Sequence, residues 1–292
     1  MGTSVRGVNR RCTLALVLTV AAVALAASAT SAAAFASAPG PSTRALWAWS
    51  WEDEDALADF AVERGIDRVY LFAEGGFSAK VRHAIHALAV DGVAVEALGG
   101  ELRWATSQRQ GMLDFIDSVR AYQRQADPID RLAGIHLDVE PHALASWDRN
   151  ESRVARRTVA AMRAARRAAG PLPLAEDMPF WFDGIRADGR RASLAKRMLA
   201  ATDAITLMAY RDSAEAIEDV TRREIRIAAR LGKPLTVGVE TGDVRPEQVT
   251  FHEEGAAALS AALAAVGDGF GRRPGYAGTA IHSYASLLAL GP

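Results

Sequence analysis

The chain has 292 residues, half of them hydrophobic, with 24% charged side chains and a formal net charge of −1. This composition supports a folded core and excludes a disordered chain. The near-even balance of 34 basic and 35 acidic residues gives no basic footprint, so a nucleic-acid partner is not expected.

Residues 1–38 differ from the rest. Arg6, Arg10 and Arg11 precede an apolar run from Leu14 to Ala27, and small residues follow, which is the pattern of a secretory signal peptide. Cleavage after it leaves 31 basic and 35 acidic residues, a net charge of about −4, and removes Cys12, the only cysteine. The expected mature chain is therefore secreted or extracytoplasmic, lacks disulfides and thiolate metal sites, and has no stable membrane association. Residues 39–43 read as a short linker, and 44–292 as one domain.

Within that domain, short apolar strands alternate with longer amphipathic segments. Strands are predicted at 45–51, 68–74, 93–98, 134–140, 172–177, 204–210, 235–240 and 279–284. Met112, Phe115, Ile116, Val119 and Tyr122 recur at helical spacing. The segment 152–169 stops at Gly170-Pro171, and 213–231 stops at Gly232 with Pro234 beyond. An Ala-rich segment, 254–266, precedes the last strand. Eight strands alternating with helices over about 250 residues predict an α/β fold, a single (β/α)8 TIM barrel, acting as a monomer.

The fourth strand carries the strongest chemical signal. In Gly134-Ile135-His136-Leu137-Asp138-Val139-Glu140, the aliphatic residues share one face and His136, Asp138 and Glu140 the other. Unpaired carboxylates are too costly for a dry core, and a parallel barrel offers its carboxyl-end mouth for them. The same alternation assigns Glu74, Glu96, Glu176, Glu240, Tyr210, His282 and Tyr284 to the inward face. Tryptophans are expected around the mouth: Trp49 and Trp51 on the first strand, then Trp104, Trp147 and Trp181 after strands three, four and five. Flat rings beside carboxylates suit sugars, whose apolar faces stack while their hydroxyls hydrogen-bond.

These motifs resemble the barrel glycoside hydrolases in two ways. Glycoside hydrolase family 18, the chitinase-like group, carries D-x-x-D-x-D-x-E on strand four. Its final Glu falls on Glu140 and its last Asp on Asp138, while Ala133 and His136 stand at the two earlier aspartates. That family's Met-x-Tyr on strand six matches Met208-Ala209-Tyr210. This resemblance implies Glu140 as general acid, with Asp138 and Tyr210 supporting a substrate acetamido group that serves as internal nucleophile.

The clan A barrels instead place an acid/base Glu after strand four and a nucleophilic Glu after strand seven. Glu140 and Glu240 occupy those places, with Val139 where that clan usually has Asn. Both resemblances imply a carbohydrate substrate and no cofactor or metal. Asp138, two residues from Glu140 on one face, is expected to favour the protonated acid through its charge. Glu240 and substrate assistance remain open as the opposing group. Trp49, Trp51, Glu74, Glu96, Trp104, Glu176, Trp181, His282 and Tyr284 are expected to contact substrate. The alternatives are a non-catalytic carbohydrate-binding barrel and a metal-dependent barrel hydrolase or isomerase.

Overall fold

The computed structural model describes residues 43–186 and 192–291. The expected leader over 1–38, and all of the linker except Thr43, lie outside the described residues. Eight parallel strands close into a barrel in sequence order. They are β1 (Thr43–Ala48), β2 (Arg68–Phe72), β3 (Ala94–Gly99), β4 (Gly134–Leu137), β5 (Leu174–Pro179), β6 (Ala204–Met208), β7 (Leu235–Glu240) and β8 (Tyr276–His282). The helices are α1 (Glu54–Glu63), α2 (Ala79–Val90), α3 (Arg109–Gln125), α4 (Trp147–Ala169), α5 (Leu194–Leu199), α6 (Ala214–Leu231), α7 (Gly255–Phe270) and α8 (Tyr284–Leu290). Among the described residues, no helix is long and apolar enough to cross a membrane.

Local chemistry sets the helix ends. The side chains of Asp53, Ser78 and Ser193 accept hydrogen bonds from the first-turn amides of α1, α2 and α5. Gly232 ends α6 with a left-handed φ of 62° that a side chain would resist. The spacing of Met112, Phe115, Ile116, Val119 and Tyr122 becomes the buried stripe of α3.

Two apolar layers result. The larger lies between strands and helices and takes the outward face of each strand, including Leu46, Leu71, Ile135, Leu137, Leu174, Met178, Leu207 and Val237. The smaller fills the barrel with Ala45, Trp47, Tyr70, Leu98 and Ala280, with Trp49 and Phe72 packed against it. Trp47 is the largest side chain of this layer and is 1% exposed. Gly238 on β7 makes room for it, since a Cβ there would lie 2.9 Å from the indole.

Three strand assignments shift, with consequences for the site. β1 leaves the sheet after Ala48, so Trp51 escapes the alternation and packs against the outer layer. β5 presents Leu174, Glu176 and Met178 outward and Ala175 and Asp177 inward; Glu176 therefore faces the helices, opposite to expectation. β8 ends at His282, and Tyr284 starts α8, where its ring packs edge-on against Phe60 at 5.2 Å.

Candidate active site

A line of charged side chains crosses the barrel interior beneath the mouth. Arg68 on β2 pairs with Glu96 on β3. Glu96 Oε2 lies 3.0 Å from His136 Nδ1, and His136 Nε2 lies 2.9 Å from Asp177 Oδ1. Trp47 Nε1 donates to the other Asp177 oxygen at 2.9 Å. The Tyr70 ring stacks on His136 at 3.6 Å. Burial opposes charge on His136, but Asp177 and Glu96 outweigh it and raise its pKa to about 9. His136 is thus an imidazolium at neutral pH, donating from both nitrogens. Burial also opposes ionised Glu96, yet Arg68 and His136 pull its carboxyl below the usual range.

Asp138 and Glu140 continue β4 above this line. The Asp138 amide donates to Gly99 O at 3.0 Å, extending the ladder with β3 past Leu137. Gly100 is required there, because a Cβ would meet Asp138 O at 2.3 Å. His136 pairs with Ala175 and Leu137 with Glu176, so one further step sets Asp138 beside Asp177. Burial, then Asp177, then Glu140 push the Asp138 carboxyl well above the usual range. Among the described residues, its Oδ1 is buried without a hydrogen-bond partner. Glu140 is raised too, by burial and then by Asp177. Asp177 thus adds a second charge beside Glu140, next to the mutual repulsion of Asp138 and Glu140 that the sequence suggested.

The opposite wall is built from β1, β6, β7 and β8. Glu240 Oε1 accepts from the amides of Thr241 at 2.8 Å and Gly242 at 2.7 Å. Glu240 Oε2 lies 2.8 Å from His282 Nδ1. Trp49 Nε1 donates to His282 Nε2 at 3.0 Å, which leaves the His282 proton on Nδ1, facing Glu240. Burial opposes ionised Glu240, but His282 and the two amides hold its carboxyl below the usual range. The Tyr210 ring centre lies 6.2 Å from that of His282. Burial and then the charges of Glu240, Asp177, Asp138 and Glu140 drive the Tyr210 phenol well upward, so it stays a hydroxyl.

Beside Glu140 stands an aromatic group. His142 Nε2 is 3.7 Å from Glu140 Oε1, and burial lowers the His142 pKa, which favours the neutral ring. Trp181 meets His142 edge-on at 5.3 Å and is backed by Phe182 and Trp147. It is 38% exposed, so part of its surface is free.

The structure thus brings together Asp138, Glu140, Tyr210, Glu240, His282 and Trp49, with Trp181 next to Glu140. Glu74 sits exposed at the rim and accepts from Gly100 N at 3.3 Å. Other expected contacts are corrected. Glu96 is committed to Arg68 and His136 inside the barrel. Glu176 is fully buried on the outward face, where burial raises its pKa well above the usual range. Trp104 is buried and stacks on Phe115 of α3 at 5.9 Å. Trp51 lies under the Lys80 ammonium at 5.7 Å, and Tyr284 packs on Phe60.

Asp177 was missed, although its signal was present. Leu172, Leu174 and Met178 share a parity with Glu176, which marks that face as the outer, helix-packed one and leaves Asp177 inward.

No family model and no curated protein sequence matches the chain. Solved structures do match its fold. A family 18 chitinase from Pseudoalteromonas aurantia superposes with a TM-score of 0.58 at 12% identity, covering 84% of this chain and 95% of that one. A chitinase from Chromobacterium violaceum gives 0.55 at 15% identity, covering 85% and 97%. A family 18 chitinase from Cycas revoluta, solved with (GlcNAc)4, gives 0.51 at 13% identity, covering 85% and 97%. The barrel is of the kind found in these glycoside hydrolases.

Proposed function

We propose that this chain is an exported, monomeric glycosidase that cleaves glycosidic bonds in a poly- or oligosaccharide, with Glu140 as general acid. The observation that carries this reading is the placement of Glu140: partly buried just after β4, with its carboxyl pushed above the usual range by burial and by Asp177, and flanked by the exposed ring of Trp181. A proton donor beside a flat apolar platform is what departure of a sugar leaving group requires. Asp138 and Tyr210 orient the substrate, and Trp49, Glu74 and His282 line its cleft.

The hydrogen bonds of Glu240 favour substrate assistance over a Glu240 nucleophile. Both of its oxygens are hydrogen-bonded, by two backbone amides and by His282, and these bonds stabilise the carboxylate and weaken it as a nucleophile. The chitinase bound to (GlcNAc)4 makes N-acetylated oligosaccharides the first substrates to try. A metal-dependent reaction is disfavoured because both ring nitrogens of His136 are occupied by carboxylates and Glu176 faces away.

Reducing-end release tests the proposal. The parent should release ends from N-acetylated polymers or oligomers. Glu140→Gln should lower kcat by about 10²- to 10⁴-fold while keeping affinity. Binding without release by the parent would make this a carbohydrate-binding barrel. Neither binding nor release would overturn the carbohydrate reading.

A further inference from the structure

We propose that Asp177 is a positioning residue of the mouth: its charge, pinned by His136 and Trp47 next to Asp138, keeps the protons of the acidic cluster on Asp138 and Glu140. The inference rests on the glycosidase reading for its consequence, though its geometry is independent of that reading.

The hydrogen bonds already distinguish the two neighbours. Each Asp177 oxygen accepts from a donor, His136 Nε2 on one side and Trp47 Nε1 on the other, both at 2.9 Å. Both bonds are stronger to a carboxylate than to a neutral carboxyl, so the two donors favour the charge on Asp177. Among the described residues, Asp138 Oδ1, one strand away, is buried with no donor. An anion there would be buried and uncompensated, which is costly, whereas a neutral carboxyl is tolerated.

Charge balance points the same way. Arg68, Glu96, His136 and Asp177 alternate in sign and sum to zero inside the barrel. A further anion on Asp138 would stand beside Asp177 with no cation of its own, and like charges on adjacent strands repel. The groups facing Asp177 from the elements around it are Trp47 on β1, Tyr70 on β2, Glu96 on β3, His136, Asp138 and Glu140 on and after β4, and Thr206 and Tyr210 on and after β6. His282 reaches the same wall, its ring 5.5 Å from that of Trp47, and it is paired with Glu240. His136 is the only cation of this set in direct contact with Asp177. The large upward displacement of the Asp138 carboxyl, with Asp177 its leading electrostatic cause, agrees. In this arrangement the carboxylate that governs the acid lies on β5, across the ladder from the strand that carries the acid.

The test is a pH titration of the full chain labelled with ¹³C at aspartate carboxyls, with Asp138 assigned by its loss in Asp138→Asn. In the parent, Asp138 should titrate well above the usual aspartate range. In Asp177→Asn, the Asp138 midpoint should fall by about one unit or more, a tenfold change in proton affinity. Should Asp177→Asn not fold, Trp47→Phe withdraws one donor from Asp177 and should move Asp138 down by less. An ordinary Asp138 midpoint in the parent overturns the proposal, as does an Asp138 midpoint unmoved in a folded variant.

Where the parent hydrolyses a substrate, the alkaline limb of kcat/KM should shift to lower pH in the same variants, an effect that mere loss of packing would not produce. Absence of hydrolysis would defeat the glycosidase reading and leave the titration to decide this one.

Discussion

His136 and His282 face the same barrel interior, and each has a tryptophan on or just after β1 beside it, Trp47 edge-on to His136 at 6.1 Å and Trp49 bonded to His282, yet their bonding differs. His136 lies between two carboxylates and donates to both. His282 has one carboxylate partner, and its second nitrogen accepts from Trp49. Exchanging an acceptor for a donor on one ring nitrogen turns a fixed cation into a ring holding a defined tautomer. Trp47 shows the complement: its N–H goes to Asp177, the partner of the cation, rather than to a ring. The lesson is that the second neighbour of a histidine, more than its depth, sets its role.

Replacing the cation should have the largest effect. His136→Leu keeps volume but leaves Glu96 and Asp177 facing an apolar group, and should cost about 3–5 kcal/mol in urea unfolding at neutral pH. A loss below about 1 kcal/mol would show that the line of charges contributes little. The corresponding His282→Leu should cost less, about 1–3 kcal/mol, because Glu240 keeps its two backbone amides.

The same contrast has a pH form. His136 has a folded pKa of about 9 against an ordinary 6.5. Its contribution is therefore complete below pH ~6.5 and is lost as pH rises through about 9. Glu96 acts at the other end: its lowered carboxyl contributes above its usual pKa of 4.5, and that contribution is lost as pH falls below it. Denaturation midpoints measured across pH should fall on both sides, and the alkaline fall should vanish in His136→Leu.

The tryptophans give the finest comparison. Trp47→Phe removes a hydrogen bond to a charged acceptor, worth about 1.5–3 kcal/mol, and Trp49→Phe one to a neutral ring nitrogen, worth about 0.5–1.5 kcal/mol. Calorimetry should rank them in that order; the reverse would undo the distinction drawn between the two histidines.

Much of this was legible in the residues. Strand–helix alternation predicted the barrel, and the parity of His136, Asp138 and Glu140 placed all three inward. The same alternation put Glu240, Tyr210 and His282 on the inward face. The failures share a cause. Parity carries no information once the chain leaves the sheet, as β1 does after Ala48 and β8 after His282, so Trp51 and Tyr284 were misplaced. Glu176 was misread because a carboxylate on the helix-facing side of a strand breaks the rule that such faces are apolar. Glu96 was assigned to the correct face but the wrong depth, since alternation gives direction and not height along the barrel. The pairing of Asp177 with His136 joins residues 41 apart in the chain, and no local pattern encodes it.

The line from Arg68 to Asp177 also constrains descent. Its four members can be exchanged only in matched sets, because any single replacement strands a buried charge. A change at position 136 is therefore expected to need matching changes at 96 or 177, because a single replacement leaves a buried charge unpaired. Kin of this chain should be sought by joint inheritance of those four positions, scattered over strands two to five, rather than by an unbroken signature on strand four.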